Sequence, residues 1–172
     1  MNGFGPFRFT HRAMATVFEV VAYGAGEELV ARVVERAFAE VDRLEDRLSY
    51  YRPHSDVVRA NREAHEREVD VSPDFAAVLG AAQILHGATA GAFDPTVGPL
   101  MKCWRFHHGR GAMPAPEAVD VARALVGLER VRLDAERLVV RYDRPGLELD
   151  LGAIGKGYAV DRVVAILRSF RI

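Results

Sequence analysis

The chain has 172 residues and a mass of 19.0 kDa, the size of one ordinary domain, which can bury a core without a disulfide or zinc staple. Cys103 is the only cysteine, and this excludes an internal disulfide and a metal site built from several thiolates. The net charge of −1 gives no electrostatic reason to expect nucleic acid or anionic lipid as a partner. The first residues lack a signal-peptide pattern and no apolar stretch reaches the ~18 residues of a membrane span, so we expect a cytoplasmic location.

The first 50 residues predict a strand followed by a long helix. Residues 14–22 (MATVFEVVA) are rich in β-branched and aromatic side chains, which favour extended structure. Residues 29–48 place apolar side chains at i, i+3 and i+4, while charged side chains occupy the other face. This periodicity predicts an amphipathic helix whose apolar stripe packs on a sheet or on another helix.

Two serines predict the starts of helices in the middle of the chain. Ser55 can cap a short helix that extends to Asn61. Residues 64–70 are charged and predict a turn and a short strand. Ser72 is followed by a proline at the first helical position, which predicts a helix that ends near Gly87.

The second half of the chain alternates loops, helices and strands. Residues 91–100 hold two prolines and two glycines, which predicts an ordered loop, and residues 116–125 predict a third helix. Residues 131–142 predict a hairpin. Residues 147–151 predict one more strand, which leads into a glycine-rich segment and a last helix from about Tyr158. This order predicts an α+β fold, a mainly antiparallel sheet with helices packed on one face, in a single domain that covers all 172 residues.

The glycine-rich segment at residues 152–157 is the first candidate for chemistry. Its three glycines let the backbone approach a ligand closely, the N–H groups of the helix that follows can hold an anion such as phosphate, and Lys156 adds a positive charge. The spacing matches neither the nucleotide P-loop nor the Gly-x-Gly-x-x-Gly turn that binds dinucleotides. A phosphate-binding loop and a tight structural turn therefore both remain open.

Two further features each allow a functional and a structural interpretation, and a third is excluded. Asp94 precedes a proline, so it is either a catalytic carboxylate or, as the pattern favours, a turn former that Thr96 can satisfy. Tyr50 and Tyr51 follow a helix end. One of them can stack on a flat ring, or one belongs to the core and the other to the surface. The histidine pair at 107–108 lacks the ligand spacing of zinc sites, so no zinc site is expected.

Four blocks of the sequence form a recognisable set. They are HRAMATVF at residues 11–18, LSYYRPHSD at 48–56 followed by Asn61, GAFDPTVGPL at 91–100, and DLGAIGKGYAVD at 150–161. In this order they resemble the motifs of the FAD:protein FMN transferase family, also called the ApbE family, and the resemblance covers nearly the whole chain. It implies a T-fold-like flavin transferase structure. Members are usually about twice as long, and their later His-x-x-Asp-Pro-x-Thr-Gly segment does not follow here, so the resemblance implies the amino-terminal half of the family fold.

The resemblance also implies site residues. Those that match FAD contacts of the family are Met14, Tyr51, Thr89, Ala90, Gly91, Asp150 and Lys156. Met14 and Tyr51 match residues that pack on the rings of FAD, and residues 89–91 match a backbone contact. Ala153 matches a position that gives Mg²⁺ an oxygen ligand, which an alanine can supply only through its backbone carbonyl. The resemblance moves Asp94 further toward a structural role and assigns no catalytic residue.

By resemblance, the chain is expected to be an enzyme that transfers FMN from FAD to a Thr or Ser hydroxyl of an acceptor flavoprotein, with Mg²⁺ and with release of AMP. A single carbonyl ligand would hold the cation poorly, so we expect the chain alone to be weak or inactive. The alternative is a non-catalytic, truncated flavin-binding module that needs a partner chain or a homodimer. An incomplete sheet would expose an apolar edge, which predicts a homo-oligomer. Many family members are exported, in contrast to the cytoplasmic expectation above.

Overall fold

The computed structural model describes residues 6–23, 26–106, 109 and 111–172, so the histidine pair at 107–108 lies outside the described residues. The chain forms two compact units, one made of Met1–Asp46 and Gly155–Ile172 and the other of Arg47–Ile154. Each unit has its own antiparallel sheet. The predicted α+β class is therefore confirmed, although the strands form two small sheets instead of one. The single-domain organisation stays a prediction.

The helices and strands follow the predicted order closely. None of the described helices combines the length and the apolar composition that crossing a membrane requires. In chain order the elements are β1 (Phe7–Ala13), β2 (Thr16–Ala22), α1 (Glu27–Leu48), α2 (Asp56–Glu63), β3 (Val69–Asp70), α3 (Pro73–Ala88), α4 (Gly98–Cys103), α5 (Pro116–Arg123), β4 (Val131–Asp134), β5 (Val139–Tyr142) and α6 (Gly152–Ser169).

In the first unit, the β1–β2 hairpin lays one face on α1. The ring of His11 stacks on Phe38 with 5.0 Å between centroids, and its Nε2 lies 2.7 Å from an oxygen of Asp42. The apolar stripe of α1 is buried, as its periodicity predicts. Arg162 of α6 forms an ion pair with Glu40 of α1 at 3.3 Å, so the two long helices lie near each other at this point.

The tip of this hairpin has an unusual backbone. Met14 and Ala15 form a two-residue turn between the paired residues Ala13 and Thr16, with φ angles of 50° and 56°. Positive φ at both central positions is typical of a type I′ turn, which usually holds Asn or Gly. The strand predicted from residue 14 is therefore wrong at its first two residues, because strand propensity does not report where a chain reverses.

Replacing Ala15 by glycine is expected to stabilise the first unit. A left-handed backbone costs a non-glycine residue ~1–2 kcal/mol, and the substitution removes this cost. Glycine also makes the unfolded chain more flexible, which cancels ~0.5–1 kcal/mol of the gain. We expect a net gain of about 0.5–1 kcal/mol in the free energy of unfolding, measured by urea titration. Ala13→Gly, at a buried strand position, is the matched control and should lose stability. A loss in Ala15→Gly as well would contradict the strained turn.

The second unit confirms both predicted serine caps and the predicted hairpin. Ser55 Oγ accepts from the N–H of Val58 at 3.0 Å, and Ser72 Oγ accepts from the N–H of Phe75 at 3.2 Å. The short strand β3 pairs with β5, which lies between β3 and β4 in a three-stranded antiparallel sheet. These elements depend on local signals, which explains why the sequence predicts them.

Three predictions for the second half are wrong. Residues 147–151 are not a strand: they form one isolated parallel bridge, from Glu148 to Val97. The expected loop at 91–100 ends early, because α4 begins at Gly98. The glycine-rich segment is neither a loop nor a tight turn, since α6 already begins at Gly152 and includes all three glycines. In the first and third cases a residue outside the segment, Asn61 or Asp150, bonds to its backbone, while α4 has a local start signal in Pro99.

Candidate functional site

The loop that carries the two adjacent tyrosines lies between α1 and α2 and is held by serines. Ser49 Oγ accepts from the N–H of Tyr51 at 3.1 Å and from that of Arg52 at 3.3 Å. The hydroxyl of Ser55 donates to the Ser49 carbonyl at 2.5 Å. Tyr50 is half-buried and Tyr51 is 65% exposed. The backbone of the loop is therefore fixed while the ring of Tyr51 remains accessible to a ligand.

The tyrosine pair lies against a small group of charged residues. The two rings meet edge to face, with 5.6 Å between centroids and an interplanar angle of 76°. The Tyr50 hydroxyl donates to Glu148 at 2.6 Å, and Lys102 Nζ lies 2.5 Å from the other oxygen of the same carboxylate. Burial, followed by the hydrogen bond to Glu148, raises the pKa of Tyr50 far above its usual value, so its hydroxyl stays protonated as a donor.

Asp150 is the charged residue that acts on Tyr51. Burial, and after it the negative charge of Asp150, raises the pKa of the Tyr51 hydroxyl. The backbone of Asp150 is fixed because its N–H donates to the Pro95 carbonyl at 2.7 Å. Its carboxylate accepts from the N–H of Gly152 at 2.8 Å. Asp150 therefore links the segment at Pro95 to the start of α6.

The start of α6 differs from the anion site that the glycines suggested. The N–H of Gly152 already donates to Asp150, so a carboxylate occupies the position where an anion could bind. Lys156 lies on the helix itself and belongs to the first unit, as does Met14 at the tip of the hairpin. The other five predicted FAD contacts belong to the second unit. A phosphate at this helix start would have to compete with the Asp150 carboxylate.

A magnesium ion does not fit the described residues on their own. Ala153 is the second residue of α6, where its carbonyl accepts a hydrogen bond from within the helix and has one lone pair left for a cation. In the part of the chain that the structure describes, no group of three or more His, Cys, Asp or Glu side chains could hold a metal ion. Hard cations of this kind need several oxygen ligands.

The segment of Thr89, Ala90 and Gly91 ends α3. The Thr89 hydroxyl donates to the Leu85 carbonyl at 2.8 Å, and the N–H groups of Ala90 and Gly91 donate to carbonyls of the last helical turn. Ala90 and Gly91 have φ angles of 51° and 84°, so the chain makes a left-handed exit from the helix. Because these N–H groups are used by the helix end, a ligand here meets carbonyl oxygens and carbon surface.

Asp94 has a structural role, as predicted. One carboxylate oxygen accepts from the N–H and the hydroxyl of Thr96 at 2.7 and 2.6 Å, and the other accepts from the N–H of Leu128 at 3.2 Å. Thr96 is fully buried, and its hydroxyl accepts from the N–H of Gly127 at 2.8 Å. These bonds fasten the loop after α3 to the segment before β4 and use three of the four lone pairs of the Asp94 carboxylate, while His86 Nδ1 lies 3.6 Å from its second oxygen.

Sequence reasoning missed three residues that organise the site. Asn61 was noted only as part of a motif, yet its amide donates to the Leu149 carbonyl at 2.9 Å and accepts from the Leu149 N–H at 2.8 Å. Glu148 and Lys102 carried no signal, because a single carboxylate and a single lysine 46 positions apart have no diagnostic spacing. The alternation of Leu147, Leu149 and Leu151 indicates that these side chains are buried. It does not indicate which group bonds to their backbone.

Comparisons with known proteins agree on one family. The ApbE family model matches residues 14–172. A protein of Klebsiella pneumoniae named FAD:protein FMN transferase is 37% identical over 154 residues, covering 87% of this chain and 46% of the relative. A protein of the same name from Vibrio cholerae is 35% identical over 136 residues, covering 76% of this chain and 40% of the relative. The chain thus spans about half the length of the curated relatives it matches.

Solved structures agree with the fold. The ApbE protein of Thermotoga maritima superposes with a TM-score of 0.88 at 27% identity, covering 97% of this chain and 54% of that chain. The flavin transferase ApbE of Vibrio cholerae superposes with a TM-score of 0.82 at 29% identity, covering 96% of this chain and 54% of that chain. With the family model matching nearly all of its sequence, this chain belongs to the ApbE family.

Proposed function

We propose that this chain carries part of the FAD-binding surface of an FAD:protein FMN transferase. The observation that supports the proposal best is the exposed ring of Tyr51, on a loop whose backbone is fixed by Ser49. An accessible aromatic ring offers a stacking surface to the flat rings of FAD. The residues we propose as FAD contacts are Met14, Tyr51, Thr89, Ala90, Gly91, Asp150 and Lys156.

The proposed reaction transfers FMN to a Thr or Ser hydroxyl of an acceptor flavoprotein. The hydroxyl oxygen forms a bond to the FMN phosphorus, the bond from that phosphorus to the bridging pyrophosphate oxygen breaks, and AMP leaves while the hydroxyl proton is lost. Enzymes accelerate such transfers mainly by positioning and by neutralising charge. In this chain Tyr51 would orient a ring, and Lys156 would supply one positive charge. We assign no residue as the base that removes the proton.

We also propose that the reaction depends on Mg²⁺, which when bound would neutralise charge on the pyrophosphate. Ala153 would contribute its carbonyl. Because the described residues do not make a magnesium site by themselves, no step is assigned to the ion. The same observation favours a second candidate function, a flavin-binding module without catalysis that gains its remaining ligands from a partner chain or a second copy.

The test separates FAD binding from transfer. The purified chain is titrated with FAD up to about 1 mM and flavin fluorescence is followed; it is then incubated with FAD, Mg²⁺ and a threonine-containing acceptor peptide, and AMP is separated by chromatography. We expect FAD binding with slow AMP release at most. AMP together with flavin-labelled peptide supports the transferase. Binding without AMP supports the non-catalytic module, and absence of FAD binding contradicts both. Light scattering on the same sample tests the proposed homo-oligomer.

A further inference from the structure

The carboxylate of Glu148 joins two residues that are distant in sequence. Tyr50 donates its hydroxyl to one oxygen at 2.6 Å, and Lys102 approaches the other at 2.5 Å. The Glu148 side chain is 20% exposed and that of Lys102 is 56% exposed. Hydrogen bonds to an ionised carboxylate are shorter and stronger than those between neutral groups. Glu148 is therefore held from both sides, and the hydroxyl of Tyr50 is held by Glu148.

The backbone beneath this group is equally constrained. The N–H of Gly98 donates to the Glu148 carbonyl at 3.2 Å, at the beginning of the helix that carries Lys102. A Cβ on Gly98 would lie 2.7 Å from the Glu148 Cβ and 2.8 Å from its carbonyl oxygen, so only glycine allows this approach. The backbone segments that carry Glu148 and Lys102 therefore meet at one close contact. This contact sets the distance between the two side chains before any ligand is present.

Tyr51 is the only one of the two adjacent tyrosines that reaches far into solvent. Its backbone N–H is held by Ser49, and its ring meets the edge of the half-buried Tyr50 ring at 5.6 Å. An exposed tyrosine otherwise samples several rotamers, and fixing them during binding lowers affinity. A neighbouring ring that is anchored at its hydroxyl restricts that sampling in advance.

We propose that Lys102, Glu148 and Tyr50 form a positioning triad that presets the ring of Tyr51 for stacking on FAD. The proposal rests on the proposed FAD binding by this chain. None of the three residues needs to touch FAD, because their effect passes through the edge-to-face contact of the two tyrosines. The triad differs from a structural ion pair in one respect: breaking it changes the order of Tyr51 and the affinity for FAD.

The experiment measures both properties in the 172-residue chain. 3-Fluorotyrosine is placed at position 51, and its ¹⁹F resonance is recorded without FAD; the Kd for FAD is measured by flavin fluorescence on the unlabelled variants. Tyr50→Phe keeps the ring and loses the hydroxyl, and Lys102→Met loses the charge. We expect both to move the ¹⁹F resonance toward its position in the unfolded chain and to raise the Kd about two- to tenfold. Lys102→Arg keeps the charge, so both readouts should stay at their wild-type values.

Tyr23→Phe is the matched control, because Tyr23 is 67% exposed on the other unit and should change neither readout. Thermal unfolding of each variant confirms that it is folded. A resonance and a Kd that both stay at their wild-type values in Tyr50→Phe and Lys102→Met overturn the triad. In a chain that binds FAD, a change in only one of the two readouts overturns it as well. If the wild-type chain fails to bind FAD while the resonance still responds, the triad holds the ring and it is the proposed function that is wrong.

Discussion

Replacing Asn61 by alanine is expected to lower the free energy of unfolding of the second unit by about 3–5 kcal/mol, because buried backbone groups would lose their partners. The Asn61 amide binds both the N–H and the carbonyl of Leu149 and accepts from the Tyr142 hydroxyl at 3.1 Å. Leu149 is 0% exposed and Tyr142 is 1% exposed, so water cannot replace these bonds. Urea unfolding followed by far-UV circular dichroism measures the loss.

Gln83→Ala is the matched control for that experiment. Gln83 is also an amide side chain, but it makes one long bond of 3.5 Å to the Val131 carbonyl. We expect its loss to cost less than about 1 kcal/mol. Equal costs for the two variants would show that Leu149 finds other partners, and the central role given to Asn61 would then be wrong.

Replacing Tyr51 by alanine is expected to weaken FAD binding about 10- to 100-fold, the usual effect of removing one aromatic stacking surface. The side chain is 65% exposed, so the free energy of unfolding should change by less than about 0.5 kcal/mol. FAD affinity is measured by fluorescence titration and stability by urea, on the same protein preparation.

Tyr51→Phe distinguishes the ring from the hydroxyl. The phenylalanine ring keeps the stacking surface and the edge-to-face contact with Tyr50, so we expect a Kd within about threefold of the wild-type value. An alanine variant that binds FAD as tightly as the wild type would remove Tyr51 from the proposed contacts. A phenylalanine variant as weak as alanine would shift the interaction from the ring to the hydroxyl.

The parts of the fold that the sequence predicts are those fixed by local signals. Ser55 and Ser72 cap helices through their own side chains, and the stripe of α1 repeats with the helical period. The segment at 147–151 shows the limit of such signals. Its alternating leucines favour a strand, but at Leu149 the backbone pairs with the side chain of Asn61, which lies 88 residues away in the sequence. The residues on either side, Glu148 and Asp150, bond instead to the backbone of Gly98 and Pro95. No periodicity or propensity encodes a pairing over that distance.

The residues of the candidate site also fall into those that the sequence indicates and those that it does not. Tyr51 and Asp150 belong to sequence blocks that a family resemblance identifies, and the structure adds that the charge of Asp150 raises the pKa of Tyr51. Glu148 and Lys102 are common surface residue types, so nothing marked them before the structure brought them to Tyr50. The sequence predicts a loop at residues 152–157 because glycine disfavours helix. It does not show that the Asp150 carboxylate accepts from the N–H of Gly152 and so holds the start of α6.

The glycines at the start of α6 also affect the surface that a ligand meets. Gly155 and Gly157 each weaken a helix by about 1 kcal/mol relative to alanine, and no atom within 4 Å would obstruct a Cβ at either position. The later turns are held by the buried residues Ala159 and Val163. Gly155 is buried as well, so packing rather than helix propensity holds the first turns, and we expect the exposed position of Gly157 to gain helix stability when it is replaced by alanine. The glycines thus leave the main chain at residues 155 and 157 open on the side where a Cβ would stand, so an approaching ligand meets backbone there instead of side chain.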